Sequence, residues 1–158
     1  MYEVYANSVQ FAFGLLGSIK VKNCHNDLKL VGTGRSACVF LIKNTEKVIK
    51  VFPAKFHHVA KEEAEIYLQL KQIPHFPYIY ASGLNYIVMD YIKGFTLFDC
   101  LHKGIEIREE QVEEIDRVLK LVRSKGLNPS DVHLRNILVT SEQRVKIIDV
   151  ARYKQTKH

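Results

Sequence analysis

The C-terminal part of the chain contains three polar side chains whose types and spacing fit metal-assisted chemistry. Asp131 and Asn136 stand five residues apart, and two short apolar runs joined by a polar turn then lead to Asp149. A strand, a tight turn and a returning strand would bring Asn136 close to Asp149. Two oxygen ligands placed in this way can hold a hard cation such as Mg²⁺ against a phosphate. Asp131 is then free to meet a hydroxyl nucleophile.

Two features further upstream could bind phosphate. The stretch from Gly32 to Val39 has the pattern G-x-G-x-x-A-x-V between two predicted strands, and glycines allow the backbone to approach a phosphate without an intervening Cβ. Lys50 lies in an apolar strand, where it either faces solvent or provides a cation under the glycine turn. A glutamate of the following helix could pair with Lys50; Glu63 is the candidate, and Glu62 and Glu65 are alternatives.

The bulk properties indicate one ordinary globular domain. The chain has 158 residues, of which 47% are hydrophobic, and this is enough for a real core. Its net charge of +6 suits a polyanion such as a nucleotide phosphate. The basic residues form no run, so a nucleic-acid-binding face is the weaker interpretation. Cys24, Cys38 and Cys100 lack metal-pair spacing, which favours reduced thiols and a cytoplasmic location.

Strands and helices alternate along the chain in a defined order. Strands are predicted for residues 28–31, 39–42 and 48–52, a helix for 57–71, strands for 78–80 and 86–92, a helix for 109–125, and then the closing hairpin. The later helix has an apolar stripe at Val112, Ile115, Val118, Leu119 and Val122. The apolar residues 9–19 are too short to span a membrane. We expect a helix docked on the domain, and the alternative is a membrane or partner surface. The order indicates an α+β fold.

Taken together and in this order, the motifs resemble the signature of the protein-kinase-like superfamily over residues 28–152. The loop from Asp131 through His133 to Asn136 is similar to that of aminoglycoside phosphotransferases. The chain also looks like RIO-type minimal kinases and short bacterial serine/threonine-kinase-like proteins. Two departures are Pro129-Ser130 in place of the usual His-Arg, and Val-Ala after Asp149.

The resemblance implies a two-lobed fold. An N-terminal extension (residues 1–27) precedes an N-lobe with an antiparallel sheet (28–92) and a minimal helical C-lobe (93–158). ATP would lie between the lobes and Mg²⁺ on Asn136 and Asp149. The implied ATP-binding residues are Gly32, Thr33, Gly34, Arg35, Ser36, Ala37, Val39, Lys50, Glu63, the gatekeeper Met89, and the hinge residues Asp90, Tyr91 and Ile92.

The implied activity is that of an ATP-dependent phosphotransferase of the serine/threonine protein kinase type, with Lys50 and Asp131 as catalytic residues. Alternatives are a pseudokinase that binds ATP without turnover, and a small-molecule phosphotransferase. The sequence ends nine residues after Asp149, so we expect no control by an activation loop. We expect the hydroxyl acceptor to be small, to be a protein presented by a partner, or to be bound by a longer form of the chain.

Overall fold

The computed structural model describes residues 1–129, 132–150 and 153–155, with only the backbone for 154 and 155. Asp131, one of the two predicted catalytic residues, therefore lies outside the described residues, as do Ser130 and Ala151. The chain forms two compact units, Met1–Glu65 with Tyr78–Tyr91, and Ile66–Pro77 with Ile92–His158.

The first unit is built on a five-stranded antiparallel sheet in the order β3-β4-β5-β7-β6. Its strands are β3 (Leu28–Thr33), β4 (Cys38–Ile42), β5 (Lys47–Val51), β6 (Ile79–Ser82) and β7 (Tyr86–Asp90). Apolar side chains alternate along β4, so that Cys38, Phe40 and Ile42 are buried on one face. With Ile49, Val51 and Val88 they form the core of this unit.

Residues before the sheet pack on that core face. They form α1 (Tyr2–Ser8) and a hairpin of β1 (Gln10–Phe13) with β2 (Ile19–Asn23). Ala6 and Ile19 are buried in the core, and the Tyr86 hydroxyl donates a 2.7 Å hydrogen bond to Glu3. The helix predicted for residues 9–19 is therefore wrong, because residues 10–13 and 19–23 pair as antiparallel strands and the chain turns between Gly14 and Gly17.

Helix α2 (His57–Gln69) begins in the first unit and ends in the second. One face buries Ala60, Glu63 and Ala64, while Glu62 and Glu65 are exposed. Ala, Glu, Leu and Gln favour a helix here, and the sequence predicted this element two residues too long at its C-terminal end.

The second unit contains α3 (Leu97–Lys103) and α4 (Glu109–Ser124). Helix α3 begins at a capping box, in which the Asp99 amide donates to the Thr96 hydroxyl and the Thr96 amide donates to the Asp99 carboxylate. It ends at Gly104, whose φ is 68°. The sequence predicted α4 but not α3.

The apolar stripe of α4 lies partly elsewhere than predicted. Val118 and Val122 are buried, but Val112 is 49% exposed. Gln111 and Glu114 are buried instead, because their side chains contact polar groups of the closing hairpin, as described below.

The remaining strands of the second unit are short. A three-stranded sheet has the order β11-β10-β8, formed by β8 (Phe95–Thr96), β10 (Ile137–Val139) and β11 (Val145–Ile147). Strands β9 (Leu127–Asn128) and β12 (Lys154–Gln155) pair separately. Within the described ranges, no helix is long and apolar enough to cross a membrane.

Candidate phosphoryl-transfer site

The glycine turn connects β3 to β4, where the sequence places the phosphate-binding loop. The Gly34 amide donates a 2.9 Å hydrogen bond to the Ala37 carbonyl, which closes the turn. A Cβ at Gly34 would lie 3.6 Å from that carbonyl oxygen, and one at Gly32 would lie 3.8 Å from Val39. Both are ordinary contacts, so the fold itself does not require glycine at either position. The bare backbone is therefore available for close approach of a ligand.

Gly32 and Lys50 belong to one row across the sheet. Gly32 pairs with Val39, Val39 with Lys50, and Lys50 with Ile87. Paired residues of antiparallel strands project to the same face, and this face is opposite to the core that holds Ile49 and Val51. Two strand spacings separate Gly32 from Lys50, about 10 Å. The glycine turn and the lysine therefore share a face of the sheet.

Lys50 forms an ion pair with Glu63 of α2. The distance from Lys50 Nζ to Glu63 Oε1 is 2.7 Å, and the side chains are 12% and 0% exposed. The position of the helix selects Glu63 from the three neighbouring glutamates, since Glu62 and Glu65 face solvent. A charge-assisted hydrogen bond between a buried carboxylate and a largely buried ammonium fixes the position of the ammonium. The arrangement presents a cation held in place near the glycine turn.

The predicted gatekeeper and hinge residues follow on β7. Met89 is 6% exposed and pairs with Val48 and Ile79. The Asp90 amide donates to the Tyr78 carbonyl at 3.0 Å, and the Tyr91 amide donates to Glu46 at 2.8 Å. In the part of the chain that the structure describes, no hydrogen bond engages the backbone amide of Ile92.

The Asp90 carboxylate stabilises this strand end, a role that the sequence did not reveal. Its Oδ2 accepts from the Tyr78 amide at 2.9 Å and its Oδ1 from the Tyr80 hydroxyl at 2.6 Å. That second bond is the main reason why the pKa of Tyr80 is raised to about 12. Asp90 thus attaches β7 to β6 through its side chain. A ligand at this strand end would therefore contact backbone groups and not the Asp90 carboxylate.

In the second unit, the closing hairpin places Asn136 next to Ile148, the residue that precedes Asp149. Strands β10 and β11 pair from Ile137 with Ile147 to Val139 with Val145. One step further, the Ile148 amide donates a 2.8 Å hydrogen bond to the Asn136 carbonyl. The predicted strand, turn and returning strand are all present. Asn136 and Asp149 therefore emerge from adjacent strand ends.

Asp149 has a backbone conformation that suits a site residue. Its φ is 63°, in the left-handed region, and it is exposed. Asp and Asn tolerate this conformation better than other side chains do. Mg²⁺ is usually held by one or two carboxylates together with phosphate oxygens. One carboxylate and one amide oxygen fit that donor set, although the described residues contain no group of three His, Cys, Asp or Glu that could hold a metal without phosphate.

Tyr153 lies within electrostatic reach of Asp149 and was not predicted from the sequence. Its ring meets Phe76 edge-on, with the ring centroids 6.2 Å apart. Burial and then the Asp149 charge raise the pKa of Tyr153 above its ordinary value. Among the described residues, its buried hydroxyl has no hydrogen-bond partner.

The loop before Asn136 packs on α3. The Phe98 amide donates a 3.2 Å hydrogen bond to the Leu134 carbonyl, and the Arg135 guanidinium lies 4.1 Å over the Phe98 ring. The Asn136 amide donates to the His133 carbonyl at 2.9 Å. These contacts fix the backbone of Asn136 from the side opposite to Ile148.

A polar cluster supports the base of the hairpin. Glu114 Oε1 accepts from His75 Nε2 at 2.8 Å and from Arg144 at 3.0 Å. The Ile147 amide donates to the His75 carbonyl at 2.8 Å, and Lys146 Nζ donates to the Pro74 carbonyl at 2.6 Å. Burial opposes ionisation of Glu114, but the His75 and Arg144 bonds outweigh it, so the pKa of Glu114 is lowered. The cluster links residues 74–75, α4 and β11.

Comparison with known proteins identifies the superfamily to which the chain belongs, and then its family. The fold is that of the protein-kinase-like superfamily. The structure of the bifunctional kinase-methyltransferase WbdD superposes with a TM-score of 0.58 at 25% identity, covering 78% of this chain and 31% of that one. Residues 40–158 match the sequence model of the RIO domain. The chain belongs to the RIO domain family.

Two sequence relatives are named as kinases. "Putative serine/threonine-protein kinase YrzF" of Bacillus subtilis is 43% identical over 140 residues, which cover 87% of this chain and 65% of YrzF. Human ribosomal protein S6 kinase alpha-2 is 28% identical over 149 residues, which cover 81% of this chain and 20% of that protein. The chain thus spans less than two thirds of the length of either relative.

Proposed function

We propose that this chain is an ATP-dependent phosphotransferase of the serine/threonine protein kinase type, which transfers the γ-phosphate of ATP to a hydroxyl group. The observation that carries the proposal is the 2.7 Å ion pair between Lys50 and Glu63. A largely buried lysine whose position is fixed by a buried carboxylate can meet phosphate oxygens without rearrangement. Phosphoryl transfer depends mainly on positioning and charge neutralisation. The kinase names of the relatives support the same activity.

In this proposal the first unit binds the nucleotide. Lys50 contacts the α- and β-phosphates, and the backbone amides from Gly32 to Ser36 cover them. The backbone of Asp90 to Ile92 binds adenine next to Met89. Two observations support these roles: glycine is not required by the fold at positions 32 and 34, and the Asp90 side chain is already committed to β6.

The second unit supplies the metal ligands and the base. Asn136 and Asp149 hold Mg²⁺, which when bound neutralises phosphate charge. Asp131, assigned from the sequence alone, accepts the proton of the acceptor hydroxyl. The hydroxyl oxygen bonds to the γ-phosphorus as the bond to the β–γ bridging oxygen breaks, and ADP leaves. The acceptor is a protein or a small molecule, a partner protein can help to present it, and the location is cytoplasmic, where ATP is available.

Transfer from γ-labelled ATP tests the proposal. The wild-type chain, given Mg²⁺ and either a generic protein acceptor or small hydroxyl compounds, should transfer label. Lys50→Ala should lose transfer by about two orders of magnitude or more. Lys29→Ala, which changes an exposed lysine of β3, should transfer label like the wild type.

A second variant separates turnover from binding. Asp131→Asn should bind ATP like the wild type and transfer no label, because it loses only the proton acceptor. If the wild-type chain binds ATP but transfers label to no acceptor, including water, the chain is an ATP-binding scaffold and the proposal is wrong.

A further inference from the structure

The tip of the β1–β2 hairpin exposes two adjacent leucines. The turn reads Gly14-Leu15-Leu16-Gly17, and Leu15 and Leu16 are 94% and 107% exposed. Single exposed apolar residues are common on protein surfaces. Two aliphatic side chains fully in water at the end of a hairpin contribute nothing to the core described above.

The turn does not need these side chains for its shape. It is closed by backbone bonds, from the Gly14 amide to the Ser18 carbonyl at 2.7 Å and from the Gly17 amide to the Gly14 carbonyl at 3.2 Å. Leu16 has a φ of 65°, a left-handed conformation that glycine or asparagine adopts at lower cost. Leucine at position 16 is therefore unfavourable for both backbone and solvation, and this points to a role outside the fold.

Lysines flank the tip. Phe11 pairs with Val21 and Phe13 with Ile19 on one face of the hairpin. On this face Phe11, Ile19 and Val21 pack against the core, while Phe13 is 47% exposed. Lys20 and Lys22 alternate with these residues on β2, so they lie on the outer, exposed face. Lys55 Nζ lies 4.1 Å over the Phe13 ring at the base of the tip. The sequence has no acidic residue between Glu3 and Asp27.

We propose that this tip inserts Leu15 and Leu16 into the surface of an anionic lipid membrane, while Lys20, Lys22 and Lys55 contact lipid phosphates. Aliphatic side chains gain by leaving water at the headgroup boundary. Lysines a few residues behind them can keep their ammonium groups at the anionic surface, because their stems are long and flexible. The three lysines favour an anionic membrane over a purely apolar groove on another protein, because such a groove offers no counter-charge to their ammonium groups.

Fluorescence offers a direct test because the chain contains no tryptophan. Leu15→Trp should show a blue shift and increased intensity with phosphatidylcholine vesicles that contain about one third phosphatidylglycerol, and little change with phosphatidylcholine alone. The matched control is Leu84→Trp, at a 76% exposed leucine in a different turn of the same unit. It should show no shift with either vesicle.

Sedimentation with the same vesicles measures the free energy of binding to the membrane. The double variant Leu15→Ser, Leu16→Ser should lower the partition coefficient at least about tenfold, and Lys20→Gln with Lys22→Gln should reduce the preference for anionic vesicles. Unchanged thermal unfolding of the serine variant would show that the loss is not misfolding, and the tryptophan variants remain decisive if it does unfold.

Three results would each overturn the proposal. One is a wild-type chain that does not sediment with anionic vesicles, and another is a serine variant that sediments equally well. The third is a wild-type chain that self-associates through the leucines without binding vesicles, which would make a second copy the occupant.

Discussion

The backbone amide of Ile148 donates a 2.8 Å hydrogen bond to the carbonyl oxygen of Asn136. This bond extends the pairing of β10 with β11 by one step beyond Ile137 and Ile147. Asp149 follows directly, so one hairpin carries both oxygen-bearing side chains of the proposed metal site. Contacts from His133 and from the polar cluster around Glu114 support that hairpin on either side.

From the Lys50–Glu63 ion pair we expect Glu63→Gln to lower both the affinity for ATP and the stability of the fold. The substitution keeps the shape of the side chain but removes the carboxylate charge that lies 2.7 Å from the mostly buried Lys50 ammonium. We expect ATP affinity to fall about 10-fold to 100-fold and unfolding free energy to fall by about 3 kcal/mol. Calorimetric titration with ATP and urea unfolding measure the two effects.

Glu62→Gln is the control for that experiment, because Glu62 is the exposed neighbour on the same helix. It should match the wild type in both measurements. Wild-type ATP affinity in Glu63→Gln would remove this ion pair from the account of nucleotide binding.

For the glycine turn, we expect Gly34→Ala to weaken nucleotide binding without lowering the stability of the fold. The added Cβ meets the Ala37 carbonyl oxygen at 3.6 Å, and Gly34 is not among the residues with positive φ. We therefore expect a melting temperature equal to or slightly above that of the wild type, together with a several-fold higher KM for ATP.

Gly104→Ala provides the opposite pattern. Gly104 ends α3 with a φ of 68°, so alanine there should lower stability by about 1 kcal/mol and leave KM unchanged. A Gly34→Ala variant that loses stability but keeps its KM would assign the glycine to folding.

The polar cluster predicts a pH-dependent contribution of Glu114. Its pKa in the folded protein is lowered below the ordinary 4.5, so its ionised form stabilises the fold above that pH, and the contribution is lost as pH falls through the folded pKa. Glu114→Gln should lower unfolding free energy by about 2 kcal/mol at pH 7. The deficit relative to the wild type should shrink below pH 4.5.

Urea unfolding at pH 7 and at pH 4 measures this difference. Glu113→Gln, at the exposed adjacent position of α4, should cost little at either pH. A Glu114→Gln deficit that is the same at both values would exclude ionisation as the source of the stabilisation.

Local sequence patterns were sufficient to predict the sheet and the closing hairpin. Lys50 lies between Ile49 and Val51 in β5, which places its side chain opposite to the core. The polar turn between the two last apolar runs predicts β10 and β11. The sequence offered Glu63 as the candidate but could not exclude Glu62 and Glu65, because that choice depends on how α2 is rotated about its axis against β5.

Where prediction failed, tertiary contacts or overlooked local signals account for the failure. Residues 9–19 are apolar without helical period, and Gly14 and Gly17 turn them into a hairpin. Helix α3 had a signal in Thr96, Asp99 and Gly104, a capping box followed by a left-handed end. The burial of Glu114 in place of Val112 had no local signal, since His75 and Arg144 are distant in sequence.

The proposed metal site of the closing hairpin offers the most direct test of the proposed phosphotransferase activity. Asp149→Asn removes the one carboxylate of the pair with Asn136 and preserves the size of the side chain, and asparagine tolerates the φ of 63°. The fold should therefore persist, while Mg²⁺-dependent chemistry should not. Asp116→Asn, at an exposed position of α4, is the matched control.

The decisive measurement is the rate of γ-phosphate transfer from labelled ATP as a function of Mg²⁺ concentration, for the wild type, Asp149→Asn and Asp116→Asn. We predict transfer that saturates with Mg²⁺ in the wild type and in Asp116→Asn, and a rate at least about 100-fold lower in Asp149→Asn. Transfer by Asp149→Asn at the wild-type rate and with the same Mg²⁺ dependence would contradict the account.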